Sequence, residues 1–120
     1  MSFFRTSGEL RAWFEAHHAT ATELWVGFYK AHAGETGVAY PEAVDEALCF
    51  GWIDTTVRRI DAARYTNRFV PRRPGSHWTD GNRARFRELD REGRVVPAGH
   101  AAFAGFGVRS ARRKVSGRRR

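Results

Sequence analysis

One cysteine, Cys49, stands in 120 residues, and a lone cysteine excludes an internal disulfide. A single thiol suits a reducing compartment, where the core rather than cross-links must hold the fold. Long apolar runs are missing too, and none approaches the ~18 residues of a membrane-spanning helix. The opening MSFFRTSGELRAW has two basic residues, Arg5 and Arg11, and no extended apolar stretch, so it does not read as a secretory leader. The expected location is the cytoplasm. The five histidines, at 17, 18, 32, 77 and 100, show neither an HExxH nor a ligand-pair spacing, so neither a metal nor a cofactor is expected.

Acidic residues give out at the C-terminal end. From Gly107 to Arg120 there are seven basic residues and no acidic one, whereas 1–106 holds 14 basic and 13 acidic groups. The net charge of +8 therefore belongs to a tail and not to the body. With only two valines to bury, the tail is expected to stay disordered. It could hold nucleic acid or an acidic surface nonspecifically through counterion release. Within the body, residues 1–57 carry 3 basic and 8 acidic groups, and 58–106 carry 11 and 5. That asymmetry predicts one acidic side and one basic side.

What remains is a chain able to fold, with 42% hydrophobic residues of which the aromatics form a large part. Thr6-Ser7-Gly8-Glu9 reads as a capping box, followed by Leu10, Trp13, Phe14 and His17 on one helical face over 7–19. Glu23 to Lys30 reads as a central strand with apolar residues on both faces. Tyr40-Pro41 opens a second helix that Gly51 can stop. Trp52–Ile60 and Arg64–Val70 read as a hairpin, Thr79 caps a third helix ended by Gly93, and Pro97 starts a short fourth. If Asp61 lies at the hairpin centre, partner numbers sum to about 122. Asp54 would then face Arg68, with Ile53 opposite Phe69 and Val57 opposite Tyr65. The fold class is α+β: a small, mainly antiparallel sheet of about three strands, packed by three to four helices. The body spans 1–106 and the basic tail 107–120.

Chemistry-bearing residues concentrate between Ala47 and Asn82. Cys49 lies near a helix C-terminus, where the dipole disfavours a thiolate, so it reads as a small buried hydrophobe. Ser76, His77 and Asp80 supply the residue types of a hydrolase triad, but members this close in sequence do not assemble one. No catalytic residue is assigned. Arg68, Arg72 and Arg73, with Ser76, Trp78 and Asn82, form the candidate site. Arginine forks suit carboxylate or phosphate, the helix opening at Thr79 adds free N–H groups, and Trp78 offers a face for a ligand ring, a peptide side chain or one of the arginines. Pro71 and Pro74 stiffen the loop. One of Arg72 and Arg73 should turn inward beside Trp78 and Arg68, and the other should stay in solvent. In the structural alternative, these arginines pair with Glu42, Asp45, Glu46 or Asp54.

ALCFGWID at 47–54, RFVPRRPGSHWTDGN at 68–82 and EGRVVPAG at 92–99 resemble, in order, the blocks of the YdeI/OmpD-associated (bacteriocin-protection) family. Trp25, Gly27, Phe28, Lys30, Tyr40 and Asp45 fit its earlier pattern. Thr55 departs from it where glycine is usual, Thr79 where serine is, and Val95 where methionine is. The resemblance implies a non-catalytic binding protein tied to tolerance of bacteriocins, antimicrobial peptides or envelope stress, with a porin among possible partners. Some descriptions of the family place it in the periplasm. Lys30, Asp45, Cys49, Trp52 and Asp54, all within matched positions, become candidates for lining a pocket. The alternatives are an enzyme or sensor binding a small anionic metabolite at the PRRP loop, and a nucleic-acid binder acting through the tail.

Overall fold

The computed structural model describes residues 1–105. The basic tail expected from Gly107 onward lies outside them. The elements run β1 (Ser2–Phe3), α1 (Ser7–His17), β2 (Leu24–Tyr29), α2 (Tyr40–Cys49), β3 (Trp52–Arg59), β4 (Arg64–Pro71) and α3 (Asp80–Arg91), with one 3-10 turn at Ala31–Ala33. A fourth helix, α4, starts at residue 97 and continues to 105. The four strands form one sheet in the order β1-β2-β4-β3, parallel only between β1 and β2. The class is α+β, as the sequence patterns predict.

The extra strand is β1, two residues long and too short for alternation to reveal. Phe3 pairs with Gly27, and its ring lies where a Gly27 side chain would stand, within 2.5 Å of an added Cβ. Gly27 is thus bare so that an aromatic ring can cover the sheet there. Ladder partners share a face, and this assigns the two sides of the sheet. Leu24, Val26 and Phe28 of β2, Phe69 of β4 and Trp52 of β3 face α1 and α2. They bury against Leu10, Phe14, Ala43, Ala47 and Leu48. Trp25 and Tyr29 face the other way and are half-buried, with Arg58 over Trp25.

The hairpin register differs from the expected one. Asp54 pairs with Phe69 and Ile53 with Val70, whereas Val57 pairs with Asn67. An extra residue on β3 therefore sits between Asp54 and Val57, a bulge at Thr55-Thr56. A hairpin with no irregularity would keep one sum throughout, and the bulge shifts it. Asp54 and Arg68 consequently point to opposite sides. Asp54 accepts from the Tyr40 hydroxyl at the start of α2, and Arg68 pairs with Glu23 at 2.7 Å. Ile53 leaves the apolar face expected for it, and Val57 is 61% exposed. Thr55, the residue at a position where glycine is usual in the resembled pattern, spends its hydroxyl on the Arg68 carbonyl.

The capping box is half as expected. Thr6 accepts from the Glu9 N–H, but the Glu9 carboxylate reaches one residue further back, to the Arg5 N–H. His17 is exposed with its ring against Trp13, and His18 turns inward instead. Gly51 and Gly93 end α2 and α3 with φ of 77° and 75°, backbone that only glycine adopts without strain.

Charges of the two halves of the chain do not segregate; they dock. Glu46 is 3% exposed and is held by Arg11 of α1 and by Arg94, each at 2.9 Å. Asp45 receives a two-pronged grip from Arg85 of α3, and Glu23 takes Arg68. Removing the Glu46 charge leaves two partly buried guanidinium groups facing each other. Glu46→Gln should cost about 2–4 kcal/mol in chemical denaturation, more than Arg11→Met or Arg94→Met alone.

Helix α4 lies on the end of α2 through Gly99. A Cβ there would stand 2.3 Å from the Cys49 carbonyl oxygen. On an exposed helix, Gly→Ala stabilises by about 1 kcal/mol. Here it should destabilise by about 1–3 kcal/mol, because backbone rather than a flexible side chain must move. A melting temperature raised by Gly99→Ala would contradict this packing.

Candidate functional site

The loop after β4 is a fixed ridge. The Arg72 N–H donates to the Gly51 carbonyl at 2.9 Å, tying the loop to the α2–β3 turn. Arg73-Pro74-Gly75-Ser76 then closes as a β-turn, with the Ser76 N–H donating to the Arg73 carbonyl at 3.0 Å and Gly75 at φ 76°. Proline followed by left-handed glycine is the signature of a type II turn, which presets the backbone before any ligand arrives. Beyond it, Thr79 caps α3 by accepting the Asn82 N–H.

Arg72 turns inward and Arg73 stays exposed. The Arg72 guanidinium carbon sits 3.9 Å from the centre of the Trp78 ring, and one terminal N–H donates to the His77 carbonyl. Trp78 is 1% exposed, with its edges set against Phe86 and Phe103, which stack on each other at 4.5 Å. Trp78 therefore cannot stack on a ligand: its open face is taken by Arg72.

The carboxylates that might have neutralised the ridge are engaged elsewhere. Asp45 holds Arg85, Glu46 holds Arg11 and Arg94, Glu42 caps the Ala39 N–H, and Asp54 holds Tyr40. Among the described residues, Arg72 and Arg73 make no ion pair, and the Arg72 Nε is buried without a hydrogen-bond acceptor. Burial pushes the Arg72 pKa down to about 10, with the Asp54 charge opposing, so the group remains a cation at neutral pH. Ser76 Oγ is likewise buried without a partner.

Three hollows meet at this ridge, each lined by Pro71, Arg72, Arg73 and Pro74. The first, about 380 Å³, lies between His18, Phe50, Trp52 and the Ala98 face of α4. The second adds Arg68 and Ser76, and the third adds Thr22 and Arg68. Arg68, Arg72, Arg73 and Ser76 are thus brought together, although Arg68 is already paired with Glu23. Trp52 walls the first hollow. Asn82, Lys30, Asp45, Cys49 and Asp54 border none of the three. Cys49 is fully buried, and desolvation with Glu46 nearby pushes its thiol up, against nucleophilic use. Sequence reasoning missed His18, Ala98, Ala101 and Ala102. The only signal of the three alanines was a run of small residues after Pro97, readable as a flat face but not as a wall of this hollow.

A second polar cluster is structural. Tyr40 donates to Asp54 and receives the Asn67 side chain, and Asn67 is 1% exposed with its Oδ1 unpartnered. Burial, then the bond to Asp54, raises the Tyr40 pKa to about 12. The folded state thus keeps a proton that the unfolded chain loses near 10, so this contribution is complete below pH 10 and falls away toward 12. Tyr40→Phe should cost about 1–2 kcal/mol at neutral pH and flatten the loss of stability between pH 10 and 12 relative to wild type. An unchanged alkaline slope in denaturant titrations would count against this assignment.

Among the described residues, no group of three or more His, Cys, Asp or Glu side chains is placed to hold a metal, and no helix is long and apolar enough to cross a membrane. Residues 2–102 match the model of a family described as Domain of unknown function (DUF8412). No curated protein and no solved structure matches the chain.

Proposed function

The chain belongs to the DUF8412 family, a domain of unknown function, and on that premise we propose that it is a non-catalytic binding protein whose ridge at Pro71–Pro74 receives a carboxylate or phosphate. The observation that carries this reading is Arg72. It is a desolvated guanidinium, braced on Trp78, with no carboxylate partner among the described residues and hollows on its flanks. Even arginines less buried than this one are paired in the fold, as Arg85 is with Asp45. An anion entering beside Arg72 and the exposed Arg73 would supply the missing charge and gain a charge-assisted bond in a poorly hydrated site.

The cellular role proposed is tolerance of bacteriocins, antimicrobial peptides or envelope stress. It rests on the YdeI/OmpD-associated resemblance of 47–54, 68–82 and 92–99. Those three blocks converge on the first hollow: Phe50, Gly51 and Trp52 from one, Pro71 to Pro74 from the next, Ala98 from the last.

Arg72→Met separates binding from structure, since methionine keeps an apolar stem against Trp78 and removes the charge. Stability should stay within about 1 kcal/mol of wild type or rise, because an unpaired desolvated charge is lost. Stabilisation by phosphate, sulfate or acetate, about 1.4 kcal/mol at ten times Kd, should vanish in the variant. A loss of several kcal/mol with anion stabilisation intact would make Arg72 a structural brace and end the proposal.

A further inference from the structure

The three hollows differ in chemistry. The second and third border the Arg68–Glu23 pair or the exposed strand ends. The first is walled by Ala19, by Pro74, and by Ala98 and Ala102 of α4, with the buried Phe50 and Trp52 closing its base. Among the described residues lining it there is no carboxylate. Its polar side chains are Arg72, Arg73 and His18. The His18 Nδ1 is 2.7 Å from the Phe14 carbonyl, so it carries the proton and only Nε2 is left for another partner. A cationic ligand would meet two arginines with nothing to offset them. A fully hydrated inorganic anion would leave the proline and alanine walls wet. At ~30 Å³ per water, the hollow's 380 Å³ corresponds to about a dozen waters, which an apolar body could displace.

Resting on the anion-binding reading above, we infer that the ligand is a small amphipathic acid. Its single carboxylate meets Arg72 and Arg73, and a compact apolar body of about a dozen non-hydrogen atoms lodges against Ala19, Pro74, Ala98 and Ala102. Both halves of such a molecule have a counterpart here. The carboxylate gains from a guanidinium with no counter-ion, and the body gains from the one wall of the ridge that is largely apolar. The ridge is held by the Arg72–Gly51 bond and the Pro74-Gly75 turn, so little ordering opposes entry.

Calorimetric titration of the full chain with acetate, butyrate, hexanoate and 3-phenylpropanoate, their neutral amides, and inorganic phosphate tests the inference. Affinity should rise about two- to fourfold per added methylene and fall at least about tenfold for each amide. Ala101→Phe, made at an exposed position on the rim, should bring hexanoate down to the level that acetate shows with the same variant. Ala19→Phe plugs the same hollow from the opposite wall and should do likewise, which keeps the test sound if one plug lowers the melting temperature. Acetate and phosphate binding that depends on Arg72 but shows no chain-length dependence, or plugs without effect, would overturn the amphipathic ligand and leave the anion site standing. Failure of every acid and of phosphate to bind, or binding that Arg72→Met does not touch, would overturn both.

Discussion

The position of Glu46 fixes most of what lies around it. This carboxylate is buried on α2 and gripped by Arg11 from α1 and by Arg94 from the segment that precedes α4. Arg11 also donates to the Arg94 carbonyl and lies over the Phe50 ring, so the three segments share one network. Taking one anion out of water is expensive, and two partly exposed cations answer it with charge-assisted bonds. Any sliding of α1 or of 92–96 along α2 would break at least one of those bonds at low dielectric, where the loss is large. The network therefore acts less as a source of net stability than as a device for register. Its consequence is geometric. With Arg94 anchored, the Val96 N–H reaches the Cys49 carbonyl, Gly99 slots against it, and α4 becomes one wall of a hollow whose other walls are α1, the α2–β3 turn and the ridge.

The same pairing logic isolates Arg72. Acidic residues of the first half pair with basic residues of the second: Glu46 with Arg94 and Asp45 with Arg85 where the carboxylate is buried or partly buried, and Glu23 with Arg68 at the surface. Each pair consumes a carboxylate that could have reached the ridge. Asp54, the remaining neighbour, is turned to Tyr40 by the strand register. A deep arginine without a counter-ion costs folding free energy, and functional sites are where such costs are retained. Arg68 is the useful contrast. It lies within the same hollows, yet Glu23 compensates it, and nothing about it asks for a ligand.

Much of the fold was legible because local signals agreed with one another. Pro41 at the opening of α2, Gly51 at its end, Thr79 at the cap of α3 and the aromatic, two-faced apolar run of β2 each specify the same structure as the packing does. The misreadings have distinct physical causes. Strand β1 is two residues long and exists because Phe3 covers Gly27, a long-range contact with no local period. The hairpin register failed twice over: the turn centres on Ala62 and not Asp61, and a bulge at Thr55-Thr56, which nothing in a run of threonines marks, then changes the partner sum. The charge asymmetry misled because sequence halves are not spatial halves. At the site, the arginines and the turn were readable from PRRPGS, since proline and glycine fix the backbone locally. Of the partners expected for the Trp78 face, an arginine takes it, and the burial that shuts out a ligand depends on Phe86 and Phe103 from two later helices. The apolar walls were invisible for a related reason: Phe50, Ala98 and Ala102 meet only through the Glu46 network.

These constraints also explain why the ridge can hold an uncompensated charge at all. An arginine on a mobile loop would swing to water and recover its hydration. Arg72 is denied that escape by three restraints that do not depend on its charge: its own N–H on Gly51, the Pro74-Gly75 turn that follows, and the Trp78 face fixed by the stacked Phe86–Phe103 pair. The aromatic face recovers part of the lost hydration as a cation–π contact, and the His77 carbonyl recovers another part. What neither can supply is opposite charge. The restraints are made by the backbone and by rings, so they persist when the charge is neutralised by a ligand or removed by substitution. The ridge is therefore built to present a cation rather than stabilised by having one.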